Sequence, residues 1–436
     1  MNLQKEKIDR LYFKFLLPSL GSAMVMSIYT MTDAIVIGKG VGSDALGALN
    51  IVTPLLCILM SMGILFGVGG SVHMNVHRGT GNIPKANRYF TISFASLGLV
   101  TILIGVIYGM FMQEILVLMG ANKVLYPYAM EYMGYFNKFL PVAVFSNFIA
   151  IFVRADNDPN RAMLGVILGG VVNIILDILF VFPMKMGIGG AAFASCLGMC
   201  VQVLIVGSHF VSQKNQLHFI APRHIGSSFA QIVGSGISAF FNELANGVIV
   251  FLFNIQILKY CGSNALSVYS VIANCVILFN SLFTGVGQSV QPIIANNYGA
   301  GLMERIAKVK KLGYYTVFIM GGIFTLVGVL FPHEICRIFI HESTEISDIA
   351  GYAIRVYFLT FLPMGVNLFT SYYLQSILKT KEALVISVLR NLVLSGVLIL
   401  TAPMLFGGNV LWGVMVTVEL VVLAGYMILN GVLQKK

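Results

Sequence analysis

Long apolar runs, most of them more than twenty residues and separated by short polar loops, fill this chain from end to end. A helix needs about 20 apolar residues to cross the hydrocarbon core of a bilayer. By that measure twelve spans are expected, at about 11–37, 44–72, 86–111, 127–153, 160–182, 188–211, 228–258, 264–291, 309–332, 349–378, 382–406 and 409–433. The expected fold class is an all-α polytopic membrane protein. Charge content agrees: 10% of residues are charged and 58% hydrophobic, against about 25% charged in a soluble domain. The first run, Leu11 to Ile37, is too long for a signal-peptide core and no small-residue cleavage pattern follows it, so it reads as the first span.

The formal charge of +10 would suggest nucleic acid in a soluble protein, but here the cations sit in short inter-span loops. One side collects Lys5, Lys7, Arg10, Lys14, Arg78, Lys85, Arg88, Arg154, Arg161, Lys214, Arg223, the Arg305–Lys311 group, Lys379, Lys381, Lys435 and Lys436. The other holds Lys39, Lys123, Lys185, Lys259 and Arg337, with acids at Glu342, Glu345 and Asp348. The positive-inside rule then puts both termini in the cytoplasm of a multi-pass plasma (inner) membrane protein, with lipid and no nucleic acid as partner. The six cysteines form no CxxC pair, and buried packing is their expected role. His73 and His77 have i,i+4 spacing without the glutamate of an HExxH site, so they read as a satisfied pair rather than metal ligands. No nucleophile–base constellation appears, GVGGS after Leu65 is no P-loop, and no soluble stretch is long enough for a nucleotide-binding domain. The chain is expected to be neither an enzyme nor an ATP-driven pump, and to need no cofactor.

The two halves resemble each other at an offset near 220 residues. Gly42-Ser43-Asp44-Ala45-Leu46 recurs as Gly262-Ser263-Asn264-Ala265-Leu266, and Gly67-Val68-Gly69-Gly70-Ser71-Val72 as Gly285-Val286-Gly287-Gln288-Ser289-Val290. Phe139-Leu140-Pro141 recurs as Phe361-Leu362-Pro363. Three matches in order indicate duplication. Six spans per half give both halves the same orientation, so the repeat axis should run along the membrane normal with the pathway between two six-helix lobes. The expected division is 1–212 for the first lobe, 213–227 for a cytoplasmic linker and 228–436 for the second lobe.

Two aspartates break the apolar pattern of the first half and have no copy in the second. Asp33 lies in the first span and Asp177 in the run GVVNIILDILFVF. A charge at the bilayer centre costs about 2.5–3.5 kcal/mol on insertion scales, so such acids persist where they bind an ion, relay a proton or meet a cationic substrate. Asn173 is four residues before Asp177 and shares its helix face, adding an amide oxygen. Tyr29 stands one turn before Asp33 on the same face, where it touches substrate or packs. Pro18 removes a backbone hydrogen bond from span 1 and should kink it. Methionines such as Met24, Met26, Met60 and Met62 suit a surface that accepts varied ligands.

Several segments resemble the multidrug and toxic compound extrusion (MATE) family. They are Asp33 to Gly38, Arg154-Ala155-Asp156-Asn157-Asp158-Pro159, Asn173 to Asp177, and Gly187 to Ser195; in the second half, Gln291-Pro292-Ile293-Ile294-Ala295-Asn296-Asn297-Tyr298-Gly299-Ala300. The second-half pattern, with Arg390 entering span 11, is most similar to MepA-like or DinF-like bacterial members. The resemblance implies a V-shaped, pseudo-symmetric, alternating-access fold that exports organic cations against H⁺ or Na⁺. It implies that Asp33, Asn173, Asp177 and Ser195 form one polar cluster in the first lobe. Two carboxylates and neutral oxygens suit Na⁺; desolvation and a neighbouring like charge equally favour a protonated acid. Pro18 matches a proline at which relatives bend span 1. Glu243 matches a span 7 glutamate of relatives that couple ions in the second lobe, but span 10 here, Tyr352 to Leu378, holds no acid. Glu243 then faces the central cavity and attracts cationic cargo, with Met26 and Met60 as further cavity residues. Glu419 is a candidate partner for Arg390.

The expected function is secondary active multidrug export: a monomer exchanging cationic, amphipathic small molecules for inward H⁺ or Na⁺. Two other transport readings stand beside it. A lipid-linked precursor flippase of related fold would need cavity cations, and none is evident deep in the spans. A dedicated exporter of an endogenous metabolite would look the same in sequence.

Overall fold

The computed structural model describes residues 2–339 and 344–433; Glu342, Lys435 and Lys436 lie outside them. In chain order the helices are α1 (Ile8–Gly40), α2 (Ser43–Gly79), α3 (Ile83–Leu118), α4 (Tyr126–Lys138), α5 (Leu140–Ala155), α6 (Pro159–Val181) and α7 (Gly187–Gly207). After the connection around 212–224 come α8 (Ile225–Gly299), α9 (Met303–Leu330), α10 (Pro332–Phe339), α11 (Thr344–Phe358), α12 (Phe361–Ser376), α13 (Thr380–Val388), α14 (Leu394–Phe406) and α15 (Leu411–Leu433). A π-helical turn, Leu389–Val393, joins α13 to α14. No strand occurs among the described residues.

Among the described residues ten helical stretches are long and apolar enough to cross a membrane, and the pair α4–α5, bent by 61°, forms another. α8 counts twice. Its 75 residues would extend about 110 Å at 1.5 Å per residue, but Gly262 (φ 85°, ψ −178°) turns the chain back. Its two arms, 225–261 and 263–299, complete the twelve spans expected.

The repeated motifs mark where the chain turns. Gly42 (φ 124°) separates α1 from α2 as Gly262 separates the arms of α8. Both occupy left-handed φ values where a side chain is strained. The Phe-Leu-Pro motif lies at the break between α4 and α5 and again where α12 starts. The proline lacks an N–H and disfavours helical geometry in the residue before it, so a span that reads as continuous in sequence breaks there.

Two large apolar cores dominate the described residues, and each borrows from the other half of the chain. One core, built mainly from residues 36–217, also takes in Ile232. The other, built mainly from residues 253–418, takes in Leu3, Ile8, Leu11, Tyr12, Phe15 and Leu16. The start of α1 thus packs with the second half while its end, at Val36 and Ile37, packs with the first. The start of α8 does the reverse. Tyr12 shares a 2.6 Å hydrogen bond with the Thr316 hydroxyl on α9. Arg305 donates to the Leu3 and Glu6 carbonyls at 3.0 and 2.8 Å.

At the end that carries residue 2, the halves meet backbone to backbone. A β-carbon on Gly69 would lie 2.0 Å from the Ile232 carbonyl oxygen, and one on Gly236 2.0 Å from that of Leu65. Further along, one on Gly79 would lie 2.0 Å from the Asn296 carbonyl oxygen and one on Gly299 1.9 Å from that of Val76. Gln4 closes the same end, its amide donating to Gly79 O and Asn296 Oδ1 at 3.2 Å each. A small apolar cluster of Ile64, Val68, Val72, Val76, Ile151, Ala239 and Ala295 fills the seam.

Candidate cation site and transport pathway

The four residues expected to cluster are brought together. α6 and α7 cross closely at Gly169 and Gly198, where a β-carbon on Gly198 would lie 2.7 Å from the Gly169 carbonyl oxygen and 2.9 Å from Asn173 Cβ. This crossing lets Asn173 Nδ2 donate to Ser195 Oγ at 3.2 Å. α1 lies over Gly170, where a β-carbon would meet Val25 at 2.9 Å and the Tyr29 ring at 3.4 Å. Asp33 is thereby set beside Asp177, near enough for the two ionised carboxylates to repel each other. Asp177 is wholly buried, Asn173 and Ser195 are buried, and Asp33 is half-buried.

The cluster holds more acceptors than donors. Asp33 Oδ2 accepts from the Tyr132 hydroxyl at 3.4 Å. Asp33 Oδ1, both carboxylate oxygens of Asp177 and Asn173 Oδ1 are buried with no donor in hydrogen-bonding geometry, although the Asn173 side chain approaches Asp177. Each unsatisfied buried polar group costs about 1–3 kcal/mol, and more when charged. A proton on one carboxyl would supply the missing O–H donor, and a hard cation would take the same oxygens as ligands. The set is all oxygen, and among the described residues no group of three or more His, Cys, Asp or Glu is assembled for a transition metal.

Tyr132 on α4, missed in the sequence, is the structure's addition to the site: it feels both Asp33 and Asp177. No spacing on its own helix signals it, because the contact is made across helices.

Of the remaining sequence candidates, all but Tyr29 lie apart. Tyr29 faces Asp33 from one turn below. Glu243, on the first arm of α8, sits half-buried near Cys57 of α2 and Tyr372 of α12, between the two halves. Met60 packs in the first half, where Asn147 Nδ2 points at its sulfur from 3.7 Å. Met26 is partly exposed on α1. Pro18 lies within a continuous α1, beside residues that pack with the second half. Arg390 and Glu419 pair at 2.5 Å, and Asn367 donates to the other Glu419 oxygen at 2.7 Å. His73 bonds Ser235 at 2.9 Å and both histidines stack on Tyr89, as expected of a satisfied pair.

The Arg154–Pro159 segment does more than link spans. Asp156 pairs with Arg78 at 2.6 Å and accepts from His209 Nε2 at 2.7 Å and the Gln216 N–H at 2.9 Å. Asp158 faces His209 Nδ1 and Arg161, both at 3.2 Å. Arg154 itself, which reads as a loop cation in the sequence, is buried.

The MatE family profile matches residues 18–179 and 239–401, most of the chain and both halves separately. The chain belongs to the MatE family. This MatE protein is therefore a multi-pass membrane transporter and not an enzyme. It is 23% identical to the multidrug export protein MepA of Staphylococcus aureus strain NCTC 8325, over 98% of this chain and 94% of that protein. It is also 23% identical to MepA of Staphylococcus haemolyticus, over 95% and 91%. Its fold matches a MATE crystal structure in complex with MaD3S at TM-score 0.89, with 20% identity over 100% and 98% of the two chains. It matches an outward-facing multidrug resistance MATE transporter at TM-score 0.88, with 20% identity over 97% and 95%.

Proposed function

We propose that this MatE protein is a secondary active multidrug exporter that exchanges inward H⁺ or Na⁺ for outward cationic or amphipathic molecules. The observation that carries this reading is the surplus of buried, unpartnered acceptor oxygens on Asp33, Asn173 and Asp177. Such a set has use for a cation and little use as a structural hydrogen-bond network. The names of the MepA relatives support drug export as the task.

The chain works as a monomer in the plasma membrane with both termini in the cytoplasm, as two lobes that rock about the pathway between them. The sealed end then faces the cytoplasm, and the cation site, near the far ends of α1 and α6, loads from outside. Cation arrival neutralises Asp33 and Asp177 and weakens their hold on a cationic drug, which leaves. Pro18 lets α1 bend as the lobes separate, and Glu243 attracts cationic cargo to the central path. One charge crossing about 100 mV supplies about 2.3 kcal/mol. At 1.4 kcal/mol per tenfold, that sustains a roughly 40-fold gradient of an electrically silent load.

Ethidium efflux from vesicles, with pH and Na⁺ gradients imposed separately, tests the proposal. One gradient alone should drive efflux and the other should not. Efflux indifferent to both gradients removes the antiport reading.

A further inference from the structure

Three arginines are buried among the described residues: Arg78, Arg154 and Arg390. Two have a carboxylate, Asp156 for Arg78 and Glu419 for Arg390. Among the described residues Arg154 has none within 4.0 Å, and the nearest acid in sequence, Asp156, is engaged by Arg78 and His209. Arg154 is 6% exposed at the end of α5, and it reaches across the seam to donate through Nη1 to Gln288 Oε1 on the second arm of α8. Its Nε is buried without a partner. Beside it lies a cavity of about 10 Å³, lined by Ser71, Ile151, Gln288 and Gln291, room for one water at most. Tyr372 lies close enough to both Arg154 and Glu243 to feel their charges.

A guanidinium stays charged in proteins, and burying one without a counter-charge is costly. A neutral amide would hold Gln288 without that cost, so the charge itself needs a use. Within a sealed, low-dielectric seam a fixed positive charge strongly repels any other cation. An arginine at a pore constriction is a known way to exclude cations and protons.

We propose that Arg154 is the electrostatic barrier of the closed end, which keeps the coupling cation from slipping through the seam without cargo. The proposal rests on the cation-coupled reading above. It makes the seam more than a steric contact: the Gly–carbonyl crossings exclude molecules by size, and Arg154 adds a charge barrier against small cations.

The test is cation leak, measured without drug. Purified protein in liposomes is given a valinomycin-set K⁺ diffusion potential, and H⁺ and Na⁺ entry are followed by an internal pH dye and ²²Na⁺. Wild type and Arg154→Lys should be tight. Arg154→Gln, which keeps a donor but loses the charge, should leak about tenfold faster or more, the factor that ~1.4 kcal/mol of barrier represents. Gln288→Glu should leak similarly, because it leaves Arg154 in place and neutralises it; this variant keeps the test alive if Arg154→Gln fails to fold. Tight Arg154→Gln vesicles overturn the proposal. So does a Gln288→Glu leak at or below wild type, since a stronger Arg154 contact would then close the seam by bonding alone. If the variants leak but wild type never exchanges ethidium for a cation, the coupling reading falls and the barrier stands. If exchange is present and no variant leaks, only the barrier falls.

Discussion

Asp33 and Asp177 differ in how they meet their surroundings. Asp177 is wholly enclosed with both oxygens unpartnered, whereas Asp33 is half-buried and held by Tyr132. Asp33→Asn and Asp177→Asn should each reduce gradient-driven ethidium efflux to the level of empty vesicles while membrane yield and size-exclusion profile stay as in wild type. Removing a carboxylate eases insertion, so lost activity cannot be laid to failed assembly; near wild-type efflux by either variant would sink the site. Arg390 and Glu419 give a contrasting case of a pair that is complete. Glu419→Gln leaves a buried guanidinium uncompensated and should cost about 3–5 kcal/mol. The thermal midpoint in detergent should fall, and the apolar double variant Arg390→Met with Glu419→Leu should recover most of that loss. At this scale the sequence was legible where a residue's meaning is local. The acids stood out against an apolar background, and the i,i+4 spacing put Asn173 and Asp177 on one face. Arg154 was not legible, since only contact with Gln288, 134 residues away, distinguishes it from the solvated cations of neighbouring loops.

Among elements, α6 and α7 decide the site's shape. Their approach is possible because glycines 169 and 198 leave the backbones in contact. Gly198→Val should therefore act on the site without touching its chemistry: overpacking costs about 1–3 kcal/mol and pushes Asn173 away from Ser195. Efflux should drop severely with both aspartates intact, and wild-type efflux with a normal melting curve would show that the crossing has slack. Element boundaries were readable from apolar length and from the turn glycines. The bends were less so. Residues 127–153 read as a single span, yet α4 and α5 diverge by 61°, and Pro141 was the available signal.

For the molecule as a whole, the decisive feature is where the halves touch. The seam relies on glycines 69, 79, 236 and 299 against facing carbonyls, so it tolerates no added carbon. Gly299→Val should open that end. A penalty of about 1–3 kcal/mol shifts a two-state balance roughly 5–150-fold. Spin labels near the ends of α2 and of the second arm of α8 should report a longer distance in the variant, and an unchanged distance distribution would mean that the seam repacks instead. Duplication could be read from the repeated motifs, but not the exchange of leading segments, because the sequence of α1 does not say which core Leu11 and Phe15 enter.

That exchange has a consequence for how the chain is made. Residues 3–16 leave the ribosome well before the core they complete, which consists mostly of residues beyond 250. During synthesis the first six spans must hold an apolar segment with no home, and their own core waits for Ile232. Neither half holds every residue of its own core. Two separately synthesised fragments, cut in the 213–224 connection, would each be born with the other's missing piece and would have a thermodynamic reason to find one another. A first fragment beginning after residue 20 would keep only the weaker half of that reason, the place its core offers Ile232.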